Sequence, residues 1–321
     1  MISDLPLVSV LMPLYNKEAY VEEAIKSVLN QTYPNIELII VDDGSTDGSF
    51  TVAEKLISDK IHLFRQVNKG VSADRNLVFE YSKGDFIQYL DADDVLDKQK
   101  IEKQVDLLRG YSKTTLTIAK RFYFKKQTND AWQLPTMPIL EKNYDNMAAF
   151  LVDEIASSAF VHSWLIPRYM AEKFGKWDES MAIFEDRDFY LRLVLAATKI
   201  VYCPNAACYC RFPQGDHQSK RSRKSNFEPV LRYFSKFEEN LIAQNGEYNN
   251  NVRLALACLH KKLLNITHDK KIIAELQLRS VRLGLVPNCG EKSTIKFLEK
   301  TIGIKITFWL VFIKSKYFDT L

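Results

Sequence analysis

The stretch "YLDADDVLD", residues 89–97, sets four aspartates within seven positions, directly after the apolar run "FIQYL". Carboxylates gathered at one strand end repel each other unless a cation lies among them or the side chains diverge. A second acidic pair, Asp42 and Asp43, follows the apolar run "IELIIV" and opens into "GSTDGS". A third, Glu185 and Asp186 in "FEDRDFYLRL", precedes a helical pattern. Aspartates at a strand end have a definite use if the ligand is a nucleoside diphosphate. A hard divalent cation then bridges carboxylate and phosphate oxygens while keeping some waters. Asp91 and Asp93 are two apart, so an extended chain points both the same way. Asp94 then points away, or caps the following helix "VLDKQKIEKQVDLL". An isolated D-x-D is as readily a turn with a cap and no metal.

The elements that must position these carboxylates alternate along the first hundred residues. "LVSVLMPLY", "IELIIV", "IHLFRQV" and "DFIQYL" read as strands. Between them, "EAYVEEAIKSVLNQ", "FTVAEKLISD" and "GVSADRNLVFEYSKG" read as helices, the last opened by Ser72. Strands alternating with such helices imply βαβ units and a parallel sheet. Ligands of such sheets bind beyond the carboxyl ends of the strands, where "DDGSTD" and "DADD" both fall.

With those motifs in order, "VSVLMPLYNKEAYVEEAIKSVLNQTYPNIELIIVDDGSTDGS", "NKGVSADRN" and "GDFIQYLDADD", the chain resembles a family 2 glycosyltransferase of the GT-A fold. That resemblance implies an α/β, mostly parallel central sheet flanked by helices over 1–219. Residues 1–100 would be the nucleotide-sugar half and 101–219 the acceptor half, with a helical C-terminal region over 220–321. It implies an inverting transfer of sugar from a UDP-sugar to a hydroxyl of a glycan or lipid-linked glycan in surface-polysaccharide synthesis, assisted by Mn²⁺ or Mg²⁺.

The resemblance also carries roles. Pro13, Tyr15 and Asn16 line the nucleotide, and Asp43 faces the uracil, whose imide N–H a carboxylate accepts. One of Asp42 and Asp43 makes only an Asx-turn. Arg75 and Asn76 support the nucleotide-sugar near the metal, and Asp74 stands where the family often has alanine. Asp91, Ala92 and Asp93 form the donor turn, with Asp93 and Asp91 on the metal. Asp186 is the base and Glu185 its neighbour, although "ED" opening a helix is also what capping looks like. Asp188 and Arg192 read as an exposed ion pair of that helix. Trp164 and Trp177 either stack on sugar or fill the core, with Trp177 favoured for the pocket. Arg211 is a candidate phosphate contact, and His217 a candidate third metal ligand or phosphate contact. Cys203, Cys208 and Cys210 lack the paired C-x-x-C spacing of a zinc site.

Composition bounds the rest. The chain has 321 residues, 46% hydrophobic and 26% charged, an ordinary globular balance that excludes disordered and collagen-like classes. Five cysteines make no disulfide framework, and no signal-peptide pattern opens the sequence, so a cytoplasmic location is expected. From Lys220 onward there are 19 Lys and Arg against 9 Asp and Glu, leaving 25 against 31 before it. The apolar run within "TIGIKITFWLVFIKSKYF" is too short to span a bilayer, which needs about 20 residues. It suits an interfacial segment on the inner membrane face, or a helix docked in a core. No feature points to nucleic acid. Two rivals remain: a nucleotidyltransferase, which wants a Gly-rich loop that "MPLYNKEAY" lacks, and a non-catalytic binding subunit on the same fold.

Overall fold

All seven residues of strand β1, Val8–Leu14, are buried, as a parallel strand covered on both faces requires. Helix α1, Val21–Leu29, turns Val21, Ala24, Ile25 and Val28 inward at helical spacing. Each large apolar side chain so buried stabilises the fold by roughly 1.5–3 kcal/mol. Strand β2 follows at Ile36–Asp42, helix α2 at Ser49–Glu54, and strand β3 at Ile61–Arg65. Helix α3 spans Val71–Tyr81, and strand β4 Phe86–Tyr89. Ser72 does not open α3. Gly70 stands at the cap position with φ 93°, a conformation that favours glycine.

Strand β5 is Val95–Leu96 and helix α4 is Lys100–Leu108. The expected helix from Val95 therefore starts five residues late, and Asp94 is not its cap. Val95 and Leu96 pair instead with the late strand β8, Lys199–Arg211. Strand β6, Thr115–Phe124, runs parallel to β8, with an irregularity at Ala119/Lys120. Strand β7, Trp164–Pro167, leads into helix α5, Arg168–Phe174, and helix α6 spans Glu185–Ala196.

These elements come from a computed structural model that describes residues 5–145, 149–151, 153, 160–181, 183–212, 228–245 and 259. The eight-stranded sheet has the order β3-β2-β1-β4-β7-β6-β8-β5. It is parallel through β3-β2-β1-β4 and between β6 and β8, and antiparallel where β7 meets β4 and β6 and where β5 meets β8. Beneath the β4 end lies a buried polar knot. The Lys100 ammonium donates to Gln88 and, at 2.6 Å, to Gln104, while Gln88 donates to the Tyr89 and His162 carbonyls. Burial lowers the Lys100 pKa to about 8.

The chain divides into two compact units, Met1–Ser225 and Asn226–Leu321. In the second, helix α7, Glu228–Asn245, buries Tyr233, Phe234 and Phe237. Among the described residues, no helix is long and apolar enough to cross a membrane. The basic stretch after Lys220 and the apolar run after Thr301 lie outside the described residues.

Candidate active site

The chain leaves the extended form as soon as β4 ends. The Asp94 N–H donates to the Asp91 carbonyl at 3.0 Å, so residues 91–94 close a turn. Strand alternation therefore does not govern Asp91 and Asp93, and each finds its own cation. Asp91 pairs with Arg75 at 3.0 Å, while Asp93 pairs with Lys17. Burial pushes the Asp91 carboxyl up, but Arg75, His162 and Lys17 outweigh it and hold it below its ordinary value. Lys17, lowered by burial, is raised overall by Asp93, Asp91 and Asp94. Lys17 had no role in the sequence reading. Its signal was position: a lysine just beyond the first strand, facing the turn after the fourth.

Arg75 is the hub of the site. It is almost wholly buried, its guanidinium lies 4.3 Å from the centre of the Trp177 ring, and it also reaches Glu185 at 3.3 Å. One residue of α3 thereby joins the Asp91 turn to the first turn of α6. Burial, and then the Asp186 charge, raise the Glu185 pKa to about 7 against the pull of Arg75. Asp186 is half-buried, and its carboxylate accepts the Arg187 N–H at 2.8 Å. It is not the N-cap. Phe184 holds that position, in the left-handed region at φ 63°.

The nucleotide-side loops are tied together by carboxylates. Asp42 makes no Asx-turn: it accepts the N–H of Ser45, three residues on, at 3.2 Å and pairs with Arg65 at 3.0 Å. Asp43 accepts the Lys69 and Gly70 N–H groups, each at 2.8 Å, and the Gln66 amide at 2.9 Å. Its Oδ2 retains one lone pair, because Gly70 is its partner there. Pro13 lies in β1, Tyr15 is exposed, and Asn16, at φ 50°, accepts the Thr46 N–H. Asp74 is buried beside Asp43. Burial and the Asp43 charge raise its pKa to about 9, so at neutral pH it is an uncharged acid. The Gln66 amide lies 3.4 Å from it and spans both acids.

Several expectations are corrected by packing. Trp177 is 2% exposed and stacks on Phe189 at 4.0 Å, so it supports Arg75 from beneath and offers no face to a sugar. Trp164 is likewise core, stacked on Tyr190. Asn76 spends its amide on the Trp177 backbone and the Glu179 carboxylate, clamping that segment to α3. Arg211 is not presented to a phosphate. It donates to the Asp93 carbonyl at 3.0 Å, pairs with Glu23, and lies over Tyr20 and Phe124. Asp188 and Arg192 do pair, at 3.0 Å, but Asp188 is buried, and Arg192 caps the carbonyls of Phe174 and Lys176. His217 lies outside the described residues. Ala92, at the tip of the turn, is buried.

The residues at 91–94 suit a hard cation by one test. Among the described residues, Asp91 Oδ2 and Asp93 Oδ1 are not taken by the pairs with Arg75 and Lys17. Two carboxylate oxygens therefore stand available at the strand end.

The sequence profile of glycosyl transferase family 2 matches residues 9–175, more than half the chain. The chain belongs to glycosyl transferase family 2. The match takes in β1 through α5 and stops short of Glu185 and Asp186. An uncharacterized glycosyltransferase of Haemophilus influenzae is 44% identical over 108 residues, 33% of this chain and 43% of that protein. The putative teichuronic acid biosynthesis glycosyltransferase TuaG of Bacillus subtilis is 41% identical over 106 residues, 32% of this chain and 42% of TuaG. This family 2 chain thus matches under half the length of those two relatives. Its fold is similar to that of S. aureus TarS residues 1–349, solved in complex with UDP-GlcNAc. The TM-score is 0.69 at 17% identity, covering 95% of this chain and 83% of that one.

Proposed function

We propose that the chain is an inverting glycosyltransferase that moves a sugar from a UDP-sugar to a hydroxyl of a glycan or lipid-linked glycan in surface-polysaccharide synthesis. The observation that carries this reading is the Arg75 bridge, which holds Asp91 at 3.0 Å and Glu185 at 3.3 Å in one site. It brings the donor turn and the acid pair of α6 within one side chain of each other. Support for the donor comes from TarS, solved with UDP and with UDP-GlcNAc, and support for the pathway from TuaG, named for teichuronic acid biosynthesis.

Asp91 and Asp93 would hold Mn²⁺ or Mg²⁺, which when bound supplies the positive charge that lets a diphosphate sit against carboxylates. The remaining work falls to the chain. Asp43 accepts the uracil imide N–H on its spare lone pair. Lys17 gives the diphosphate a countercharge beside Asp93. Asp186 takes the proton of the acceptor hydroxyl as its oxygen bonds to the anomeric carbon and the bond to the diphosphate oxygen breaks. Glu185, held by Arg75, keeps the first turn of α6 turned toward the donor.

The basic balance after Lys220 supports peripheral attachment to an anionic membrane surface on the cytoplasmic side. A thermal-shift panel of UDP-sugars, each with and without Mn²⁺, followed by product analysis, tests the reading. UDP-sugars should stabilise the chain only with metal, and one should be turned over. No stabilisation by any of them, with a nucleoside triphosphate stabilising instead, would overturn it in favour of nucleotidyl transfer.

A further inference from the structure

A second set of donor groups lies at the end of the same turn and uses neither Asp91 nor Asp93. Asp94, at the end of the turn, meets His162 from the 3-10 turn Val161–Ser163 and Cys210 from the end of β8. One donor atom from each lies within 4.8 Å of the others, and His162 Nδ1 is 3.1 Å from Asp94 Oδ2.

His162 is the informative member. It is 1% exposed, and among the described residues neither ring nitrogen has a hydrogen-bond partner. The short approach of Nδ1 to Asp94 lacks the alignment a hydrogen bond needs. A buried polar group left in that state costs about 1–3 kcal/mol. Its neighbours are no better served. Among the described residues, the Cys210 thiol has a long contact, 3.9 Å, to the Arg211 carbonyl and no closer hydrogen-bond partner. Asp94 uses Oδ1 on the Arg211 N–H at 2.7 Å, and Oδ2 faces His162. Among the described residues, Lys17, which acts on Asp94, pairs with Asp93, Lys100, which acts on His162, donates to Gln88 and Gln104, and the Arg211 side chain pairs with Glu23.

We infer that Asp94, His162 and Cys210 bind a borderline divalent transition-metal ion of the zinc class, separate from any cation at Asp91 and Asp93. Imidazole, thiolate and carboxylate are the donors such an ion takes, whereas Mg²⁺ prefers oxygen alone. Charge also balances, because a dication with one thiolate and one carboxylate sums to zero and the imidazole enters neutral. Bonds of about 2.0–2.3 Å at tetrahedral angles put donors roughly 3.3–3.7 Å apart. The Asp94–His162 separation is near that, and Cys210, within 4.8 Å of both, needs a shift of at most about 1.5 Å. Three protein donors leave the fourth position to water. Such an ion would pin the turn after β4 to the 3-10 turn that leads into β7 and to the end of β8, fixing the wall against which Asp91 and Asp93 stand. The spacing of Cys203, Cys208 and Cys210 could not reveal it, because the ligands come from three distant segments and use one cysteine.

The test is spectroscopic and independent of sugar transfer. The full chain is stripped with chelator, checked for folding by circular dichroism, and titrated with Co²⁺. Wild type should develop a sulfur-to-cobalt charge-transfer band that saturates at one equivalent. D93A should keep the band, and C210S and H162A should lose it. Absence of the band in wild type, its survival in C210S, or its loss in D93A would each overturn the inference, the last by moving the ion to the donor turn. Should C210S fold poorly, mass-mapped alkylation of wild type decides. Zinc should slow labelling of Cys210 severalfold relative to the stripped chain, and unchanged labelling overturns the site.

Discussion

Replacing Asp74 by asparagine should stabilise this protein, and by more as the pH rises. The Asp74 carboxyl is 1% exposed, with its pKa raised from 3.8 to about 9 by burial and then by Asp43, and further by Asp42. A backbone contact from Leu14 and the Arg75 charge oppose that shift without cancelling it. The folded chain therefore keeps a proton that the unfolded chain releases above its ordinary pKa. Between those two values the folded state binds more protons, so stability must fall as pH rises, by about 1.4 kcal/mol per unit. At pH 7 the accumulated penalty has a ceiling of about 4 kcal/mol. Asparagine has nearly the same shape and no proton to lose, so the slope disappears with it. Some of the gain is offset by the lost carboxylate contacts, each worth about 1 kcal/mol. D74N should match wild type near pH 4, exceed it by about 1–3 kcal/mol at pH 7, and exceed it further at pH 8. Urea unfolding followed by the fluorescence of buried Trp164 and Trp177, repeated at each pH, measures this. A difference that stays constant across that range, or reverses, would mean that Asp74 is ionised in the fold and that its partners are misjudged.

Three further outcomes bear on the proposed chemistry. Asp186→Asn should keep UDP-sugar binding while transfer falls by about 10²–10⁴, the usual worth of a general base. Near wild-type transfer would mean that the Asp186 carboxylate serves only the first turn of α6. In Asp93→Ala, calorimetry should find little UDP binding with or without EDTA, whereas wild-type binding should weaken when EDTA is added; equal affinity in the variant would remove the metal bridge. A chain ending at Glu299 should stay behind in the supernatant when sedimented with anionic liposomes that carry down the full chain, and co-sedimentation of both would favour a docked C-terminal segment.

The family and the α/β architecture were legible because they rest on long-period signals. Buried strands such as Val8–Leu14 are near-continuous apolar runs, and amphipathic α1 is among the helices that separate them. The start of α4 was misread because "VLDKQKIEKQVDLL" keeps helical spacing from Val95, while Val95 and Leu96 are drawn off by a strand more than a hundred residues later. Side-chain roles were less legible for the same reason. Whether Trp177 is wet or dry depends on Phe189 beneath it and Arg75 above it, and neither is near it in sequence. Lys17 and Arg211 look alike as isolated cations. One faces the open Asp93 side chain, while the other is spent on that residue's backbone and on Glu23.

The four residues of β7 have a consequence for how the site comes together in time. Among the described strands, β7 alone bonds to both β4 and β6, through Phe86↔Pro167 and Ile87↔Ile166 on one side and Thr117↔Leu165 and Ile118↔Trp164 on the other. Strands β1 to β4 are complete by Tyr89, whereas β7 begins only at Trp164 and α6 only at Glu185. A chain leaving the ribosome can therefore set the turn bearing Asp91 and Asp93 long before Glu185 has been made. Until β7 seats, Arg75 has its first acidic partner and lacks its second. The donor turn is an early product of folding, and its meeting with the acid pair of α6 is a late one.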